Sequence, residues 1–400
     1  MKIGIIKEGK VPADKRVPFT PQQCKEIKEK FGFEVVVQSS EARSFSDDLY
    51  KAEGIEVVNN VDDCDVLFGV KEVPVDQLIP NKTYFFFSHT IKKQPYNKNL
   101  MKALLEKKIA MVDYECLTYK TGDRIIGFGR FAGVVGTYNA LLAYGLRYKL
   151  YDLKPAYKCL DRAELERELK KVKLPNVKIV LSGGGRVANG TLEILNTLGL
   201  KSVSPEEILV SSFNEPVYAQ LHGDHYYHRK DNGRFDMTEM VQHPERYFSV
   251  FAPYTKAADI YISCHFWDPK GDAFFTREDM VAKDFKMKVI ADVTCDINGS
   301  VPSTIRSSTI SSPLYGFNPI SGKEVDAFDE SGVTVMAVDN LPCELPRDAS
   351  NDFGRALIDK VLPYLLGNDE DKVIERATIC KGGELTMKYG YLGDYANYDK

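Results

Sequence analysis

VKIVLSGGGRVANGTLEILNTLGL, residues 177–200, decides how the rest of the chain is read. A short apolar run enters three successive glycines and then a stretch with apolar residues at helical spacing. That reads as strand, tight turn, helix. Gly183, Gly185 and Ala188 fit GxGxxA, where small residues permit the turn and let the backbone approach a pyrophosphate. Arg186 and Val187 follow at the helix start, whose free amides stabilise the phosphate charge. In this context the stretch predicts a dinucleotide site, for NAD or NADP. The partner of the adenosine ribose should lie about 20 positions on, in SVSPEE, which offers Ser204, Glu206 and Glu207. Ser204 is also a good cap for a helix beginning at Pro205, and that is the preferred reading. No clear carboxylate ends the strand and Lys201 is close by, so NAD against NADP stays open.

Outward from this unit, ILVSS (208–212), ADIYISCHF (258–266), KVIADVT (288–294) and VTVMAVD (333–339) read as further strands. DVTCDINGS brings Asp292 and Asp296 to a strand end near the expected nicotinamide, and Asp339 and Asn340 do the same in AVDNLP. Upstream, Phe131, Val134, Val135, Tyr138, Leu141 and Leu142 recur at helical spacing, with Gly133, Gly136, Ala140 and Gly145 between them. This predicts a long, closely packed helix crossing from one domain to the next. DRAELERELKKVK (161–173) reads as a mostly solvated helix capped by Asp161, burying Ala163, Leu165, Leu169 and Val172.

The first 130 residues alternate strands (2–7, 33–38, 65–70, 83–88, 109–114) with helices (20–31, 98–107), and a helix returns over about 351–366 before a polar tail. The expected fold is α/β: two Rossmann-like lobes with a cleft between them, linked by the long helix. Residues 1–130 plus about 341–400 form the expected substrate domain and 131–340 the dinucleotide domain.

Composition narrows the partners. A net charge of −4 without a basic tract argues against nucleic acid. No apolar run approaches the ~20 residues of a membrane helix, and MKIGIIKEGKVP lacks a signal pattern, so a cytoplasmic protein is expected. Eight cysteines without CxxC pairs read as reduced thiols. LHGDHYYH has HxxHxxH spacing, but steps of three drift by about 60° around a helix. A surface excursion is preferred, and no metal is expected.

The first lobe offers candidate chemistry. ADKRVPFTP places Arg16 in a turn, FGVKEVP places Lys71 and Glu72 after a strand, FFFSHT places His89 after the next, and GDRIIGFGRFAG carries Arg124 and Arg130. Lys71 and His89 lie at C-terminal ends of adjacent strands, where ligands of open α/β sheets gather.

Together FFSHTIK, FGRFAGVVG, HPERY, IADVTCDINGS and AVDNLPCELPRDAS resemble the family of alanine dehydrogenase, the transhydrogenase nucleotide-binding subunit and the lysine-forming saccharopine dehydrogenases. Within it, the likeness is strongest to the lysine-ketoglutarate reductase part of the bifunctional lysine-degrading enzyme, as far as about residue 385. The resemblance implies interconversion of L-lysine plus 2-oxoglutarate with saccharopine, using NAD or NADP. It implies Lys71 and His89 as the acid–base pair, Arg16 and Arg124 as carboxylate binders, and Glu72 and Glu115 as supporting carboxylates. The partners implied are an amino acid and a 2-oxo acid, and a homo-oligomer is compatible. Alanine dehydrogenase is the rival reading, and a non-catalytic nucleotide-binding subunit a third.

Overall fold

The computed structural model describes residues 1–11, 13–367 and 369–396. The chain forms two compact units, one from Met1–Phe128 with the segment from Pro346 onward, the other from Gly129–Leu345. Both are α/β, each around a large, mostly parallel sheet.

In the first unit, β1 (Lys2–Ile5), β2 (Glu34–Gln38), β3 (Glu56–Val58), β4 (Val66–Phe68), β5 (Thr83–Phe86) and β6 (Ala110–Asp113) lie in the order β6-β5-β4-β1-β2-β3. The apolar runs of all but the edge strand β3 are buried on both faces, as parallel strands covered by helices require. Helix α1 (Pro21–Phe31) starts on a reciprocal Thr20–Gln23 capping box and stops at Gly32, which adopts φ 67°. Two short helices follow, α2 (Asp47–Ala52) and α3 (Lys98–Glu106). The chain leaves β1 towards β2 on one side and returns to β4 on the other. Strand order therefore reverses between β1 and β4, and the rim outside their carboxyl ends is where ligands of open α/β sheets gather. The loops at that rim carry Glu8, Asp14, Arg16, Lys71 and Glu72.

The segment after Pro346 departs from expectation. Its helix runs Pro346–Lys360, earlier than the spacing suggests, and Thr378–Lys381 adds to β6 antiparallel, with Glu384–Leu385 beyond it. Buried Cys380, Tyr389 and Leu392 make this part of the core. A polar composition hid a strand whose few apolar residues all point inward.

In the second unit the long helix α4 spans Gly129–Tyr148 and lies wholly within that unit. Helix α5 (Arg162–Leu169) is capped by Asp161, with Leu165 and Leu169 buried, whereas Ala163 faces solvent. Then follow β7 (Lys178–Ser182), α6 (Arg186–Thr197), β8 (Lys201–Ser202), α7 (Pro205–Val210) and β9 (Val217–Leu221). The hairpin β10 (Tyr227–Arg229) and β11 (Tyr247–Ser249) precedes β12 (Ile260–Ser263), β13 (Val289–Asp292), β14 (Leu314–Asn318), β15 (Lys323–Val325) and β16 (Val333–Met336). The sheet order is β15-β14-β16-β13-β12-β7-β9-β8, with β14 antiparallel to both its neighbours.

Helices α4 and α6 cross backbone to backbone. A Cβ on Gly133 would lie 1.9 Å from the Val187 carbonyl oxygen, and one on Gly190 would lie 1.9 Å from that of Arg130. Only glycine allows this approach. ILVSS (208–212), expected as a strand, instead ends α7. Pro205 at the helix start and the reciprocal Ser204–Glu207 capping box prevail over the apolar run. The strand comes later, as β9, and it pairs directly with β7.

Candidate functional site

Loop 69–72, leaving β4, is built around a carboxyl group. Glu8 Oε1 accepts the N–H of Val70 at 2.7 Å and Oε2 that of Lys71 at 2.9 Å. Burial pushes the Glu8 carboxyl up to about 8, against the pull of those two bonds. Beside it, burial lowers the Lys71 ammonium, and the charges of Arg16 and Lys10 lower it further. Glu72 accepts from His89 Nδ1 at 2.7 Å and from Lys10 Nζ at 3.1 Å. Burial alone would raise Glu72, but the His89 contact and Lys10 bring it down to about 2. Asn97 Nδ2 ties the Ser88 carbonyl to the same place at 3.0 Å.

His89 follows β5 with φ 51°, in the left-handed region that a non-glycine residue enters at a cost of about 1–3 kcal/mol. What holds it there is its neighbour. The Ser88 hydroxyl and N–H both donate to Asp113 Oδ2, and burial raises Asp113 to about 6. The same Asp113 accepts the N–H of Glu115 at 2.7 Å through Oδ1. The ring stacks on Phe87, whose neighbours are Tyr114, Phe128 and Phe353. The aromatic run thus buries itself and presents the histidine, 28 % of whose side chain stays exposed, at the rim.

The two predicted carboxylate binders differ. Arg124 is paired with Glu115 and its side chain is 52 % exposed. Arg16 is only 2 % exposed, lies 4.2 Å from the centroid of the Phe128 ring, and donates to both oxygens of Asp14 at 3.0 and 2.6 Å. That guanidinium already holds a carboxylate inside the protein. Arg130 belongs to the second unit, where Nε and Nη2 hold Glu193 at 2.6 and 3.0 Å.

In the second unit Gly183 turns at φ 99°, and a Cβ there would meet the Cys264 carbonyl oxygen at 2.5 Å. Gly185 caps α6 with no side-chain bond, and the space where its Cβ would lie is empty to 4 Å. The first amides of this 12-residue helix, at Arg186 and Val187, therefore have an open approach, which fits a pyrophosphate. Beneath the turn, Ser182 Oγ bonds His265 Nδ1 at 2.8 Å, and His265 Nε2 bonds Ser300 Oγ at 2.8 Å. Burial lowers this imidazole to about 3, so it is a neutral strut.

Two cofactor candidates need correction. Asp292 is fully buried, accepting from Ser263, Thr294 and Thr304, so it can shape the strand end but not touch a ligand. Ser204 uses its hydroxyl on the Glu207 amide. Asp339 is exposed and Asn340 half-buried at the end of the β16 chain segment, in reach of a ligand. Sequence spacing pointed to the residues after β8 for the ribose. β9, not β8, flanks β7, with Ser182 opposite Leu221. The next residue, His222, places Nδ1 3.1 Å from where a Gly184 Cβ would be. His222 N–H donates to His225 Nδ1 at 3.1 Å, and Asp224 and Glu206 lie within 3.3 and 3.8 Å of that second ring. The LHGDHYYH motif is thus a neighbour of the glycine turn, and the signal lay in its position after VYAQL. No group of metal-ligating side chains occurs among the described residues.

Also missed by sequence reading were Glu8 and Asp14, which carry no motif. The site geometry now defines a class: a nucleotide-type glycine turn in one α/β unit and a lysine, glutamate and histidine cluster in the other. Residues 4–135 match the model of the alanine dehydrogenase/PNT N-terminal domain family. Curated relatives include the alpha-aminoadipic semialdehyde synthases of Arabidopsis thaliana (29% identical, over 98% of this chain and 41% of the relative) and Mus musculus (30%, over 95% and 46%). The chain spans less than half the length of these two. A saccharopine dehydrogenase (NAD(+), L-lysine-forming) of Emericella nidulans is 24% identical over 90% of this chain and 91% of its own. Among solved structures, an L-alanine dehydrogenase has a TM-score of 0.63 at 17% identity, covering 99% of both chains. The transhydrogenase from Sinorhizobium meliloti has 0.61 at 17%, covering 96% of this chain and 100% of its own. Both share the fold. Among the described residues no helix is long and apolar enough to cross a membrane. The mouse relative is named as mitochondrial, which weakens the cytoplasmic expectation.

Proposed function

We propose that this chain is an NAD(P)-dependent amino-acid dehydrogenase that interconverts L-lysine plus 2-oxoglutarate with saccharopine. The observation that carries the reading is the lowered Lys71 ammonium in one cluster with the Glu72–His89 pair. Forming a secondary amine needs a neutral attacking amine, loss of water from a carbinolamine, and reduction of the resulting imine. A bound nicotinamide supplies the hydride for that last step. The proton work falls to Lys71 and His89. Glu72 stays ionised and so accepts, which makes Nδ1 the donor and leaves Nε2 of a neutral ring as the base. Lys71, whose ammonium is lowered by burial and by the charges of Arg16 and Lys10, can give a proton to the departing hydroxyl.

Arg124, exposed at the rim and backed by Glu115, is suited to a substrate carboxylate. Arg16 acts from within, fixing Asp14 and lowering Lys71 through its charge. Gly183, Gly185, Arg186 and Val187 would hold the pyrophosphate, and Asp339 and Asn340 would meet the nicotinamide end. Asp224 and Glu206, beside the His222–His225 pair, favour a ribose hydroxyl over a 2′-phosphate. The relatives named for lysine-forming saccharopine oxidation support the substrate pair, and the shared fold keeps alanine dehydrogenase as the rival. Oxidation of NADH or NADPH with lysine plus 2-oxoglutarate, but not with pyruvate plus ammonium, is the expected result. Turnover only with pyruvate and ammonium would move the same residues to the rival reaction.

A further inference from the structure

Glu8 lies in no motif, yet it is the part-buried carboxyl from which the Lys71 loop hangs. Its two oxygens accept two consecutive amides, those of Val70 and Lys71. The groups that face it come from three places: Asp14 and Arg16 on its own loop, the Lys71 backbone, and Tyr114 after β6. The Tyr114 hydroxyl is buried, with no hydrogen-bond partner among the described residues. Burial raises this phenol well above its ordinary value, and the Glu8 charge raises it further.

We propose that Glu8 is a positioning residue for the acid–base pair, holding the backbone of Val70 and Lys71 by two bonds when ionised and by one when protonated. This rests on reading Lys71 and His89 as that pair. An ionised carboxylate offers both oxygens as acceptors, whereas a protonated one turns a hydroxyl, a poor acceptor, towards one of the amides. Because burial holds the group near 8, the exchange falls in the range where the enzyme would work. The loop is then held twice on the alkaline side and once on the acid side.

Glu8→Gln tests this, since an amide has one acceptor at every pH and so freezes the singly held state. Turnover of lysine plus 2-oxoglutarate by E8Q should match the unaltered protein at pH 6 within about twofold. At pH 9 its kcat should fall about tenfold, with KM for the oxo acid little changed. A merely structural role would lower kcat by one factor at both pH values, and that result, or no difference at either, would overturn the proposal. A second readout needs no substrate: the rate of reductive methylation of Lys71, followed by mass spectrometry, with exposed Lys102 as the internal reference. E8Q and the unaltered protein should label alike at pH 6 and diverge at pH 9. Absent turnover with that divergence present would sink the substrate reading and keep Glu8; identical labelling at both pH values would sink Glu8. If E8Q does not fold, Glu8→Asp, which keeps an ionising group, should preserve the pH-dependent labelling, and a flat ratio to Lys102 would count against the proposal.

Discussion

His89 Nδ1 sits 2.7 Å from Glu72 Oε1, and the carboxylate of that pair is held down to about 2 although it is largely buried. The contact orients a strained left-handed residue and fixes which ring nitrogen faces outward. Its energetics are testable through pH. Glu72 is lower in the folded chain than the ordinary 4.5, so it stabilises the fold above about pH 4.5, and that contribution is lost as pH falls towards 2. Glu72→Gln should therefore lower stability at neutral pH, by up to about 3 kcal/mol for a shift of this size, and flatten the acid limb of the unfolding curve. Urea midpoints at pH 7 and pH 3 check it: a loss of equal size at both would mean the pair does not carry the effect.

Lys71→Arg keeps a positive charge that does not dissociate near neutrality. If Lys71 exchanges protons, turnover should fall by about a hundredfold or more while nucleotide binding is retained. Stopped-flow reduction and equilibrium NADH binding separate the two. Near-normal turnover in the Lys71→Arg variant would remove Lys71 from the chemistry.

Much of this site was legible beforehand because its polar residues end long apolar strands. FFFSHT and FGVKEV announce a change of environment at one residue, and strand ends of parallel sheets face the same way. Glu8 and Asp14 were not legible, since nothing local tells a buried carboxylate from a solvated one. Glu8 meets its partners Val70 and Lys71 only through the return of β4 beside β1, a long-range pairing. The α7 region failed differently. Ser204-Pro205 signalled a helix and ILVSS a strand in overlapping residues, and the cap decided. The spacing of about 20 residues reaches SVSPEE, after β8, whereas adjacency to β7 belongs to β9.

Gly190→Ala tests the crossing of α4 and α6. The new Cβ would lie 1.9 Å from the Arg130 carbonyl oxygen, which is backbone and cannot rotate away. Overpacking of this kind costs about 1–3 kcal/mol, and more when backbone must move. Thermal unfolding should begin several degrees earlier. NADH affinity should fall with it, because α6 carries Arg186 and Val187 at its start. An unchanged melting curve would show that the helices do not need the contact.

If the ribose lies at the residue after β9, the choice of nucleotide follows from its charged neighbours. His222 stands against the glycine turn, and the nearest charged neighbours of its partner ring are the carboxylates Asp224 and Glu206. A 2′-phosphate brought there would meet like charge, whereas a ribose hydroxyl could donate to either carboxylate. NADH should therefore bind more tightly than NADPH, measured by fluorescence at low and at physiological salt. Asp224→Lys should narrow or reverse the order, and the change should shrink as salt rises, because Asp224 is exposed and its field is screened. Tighter NADPH binding by the unaltered protein would place the ribose elsewhere, and it would leave the pyrophosphate contacts at Gly183 and Gly185 standing, since both nucleotides share that group.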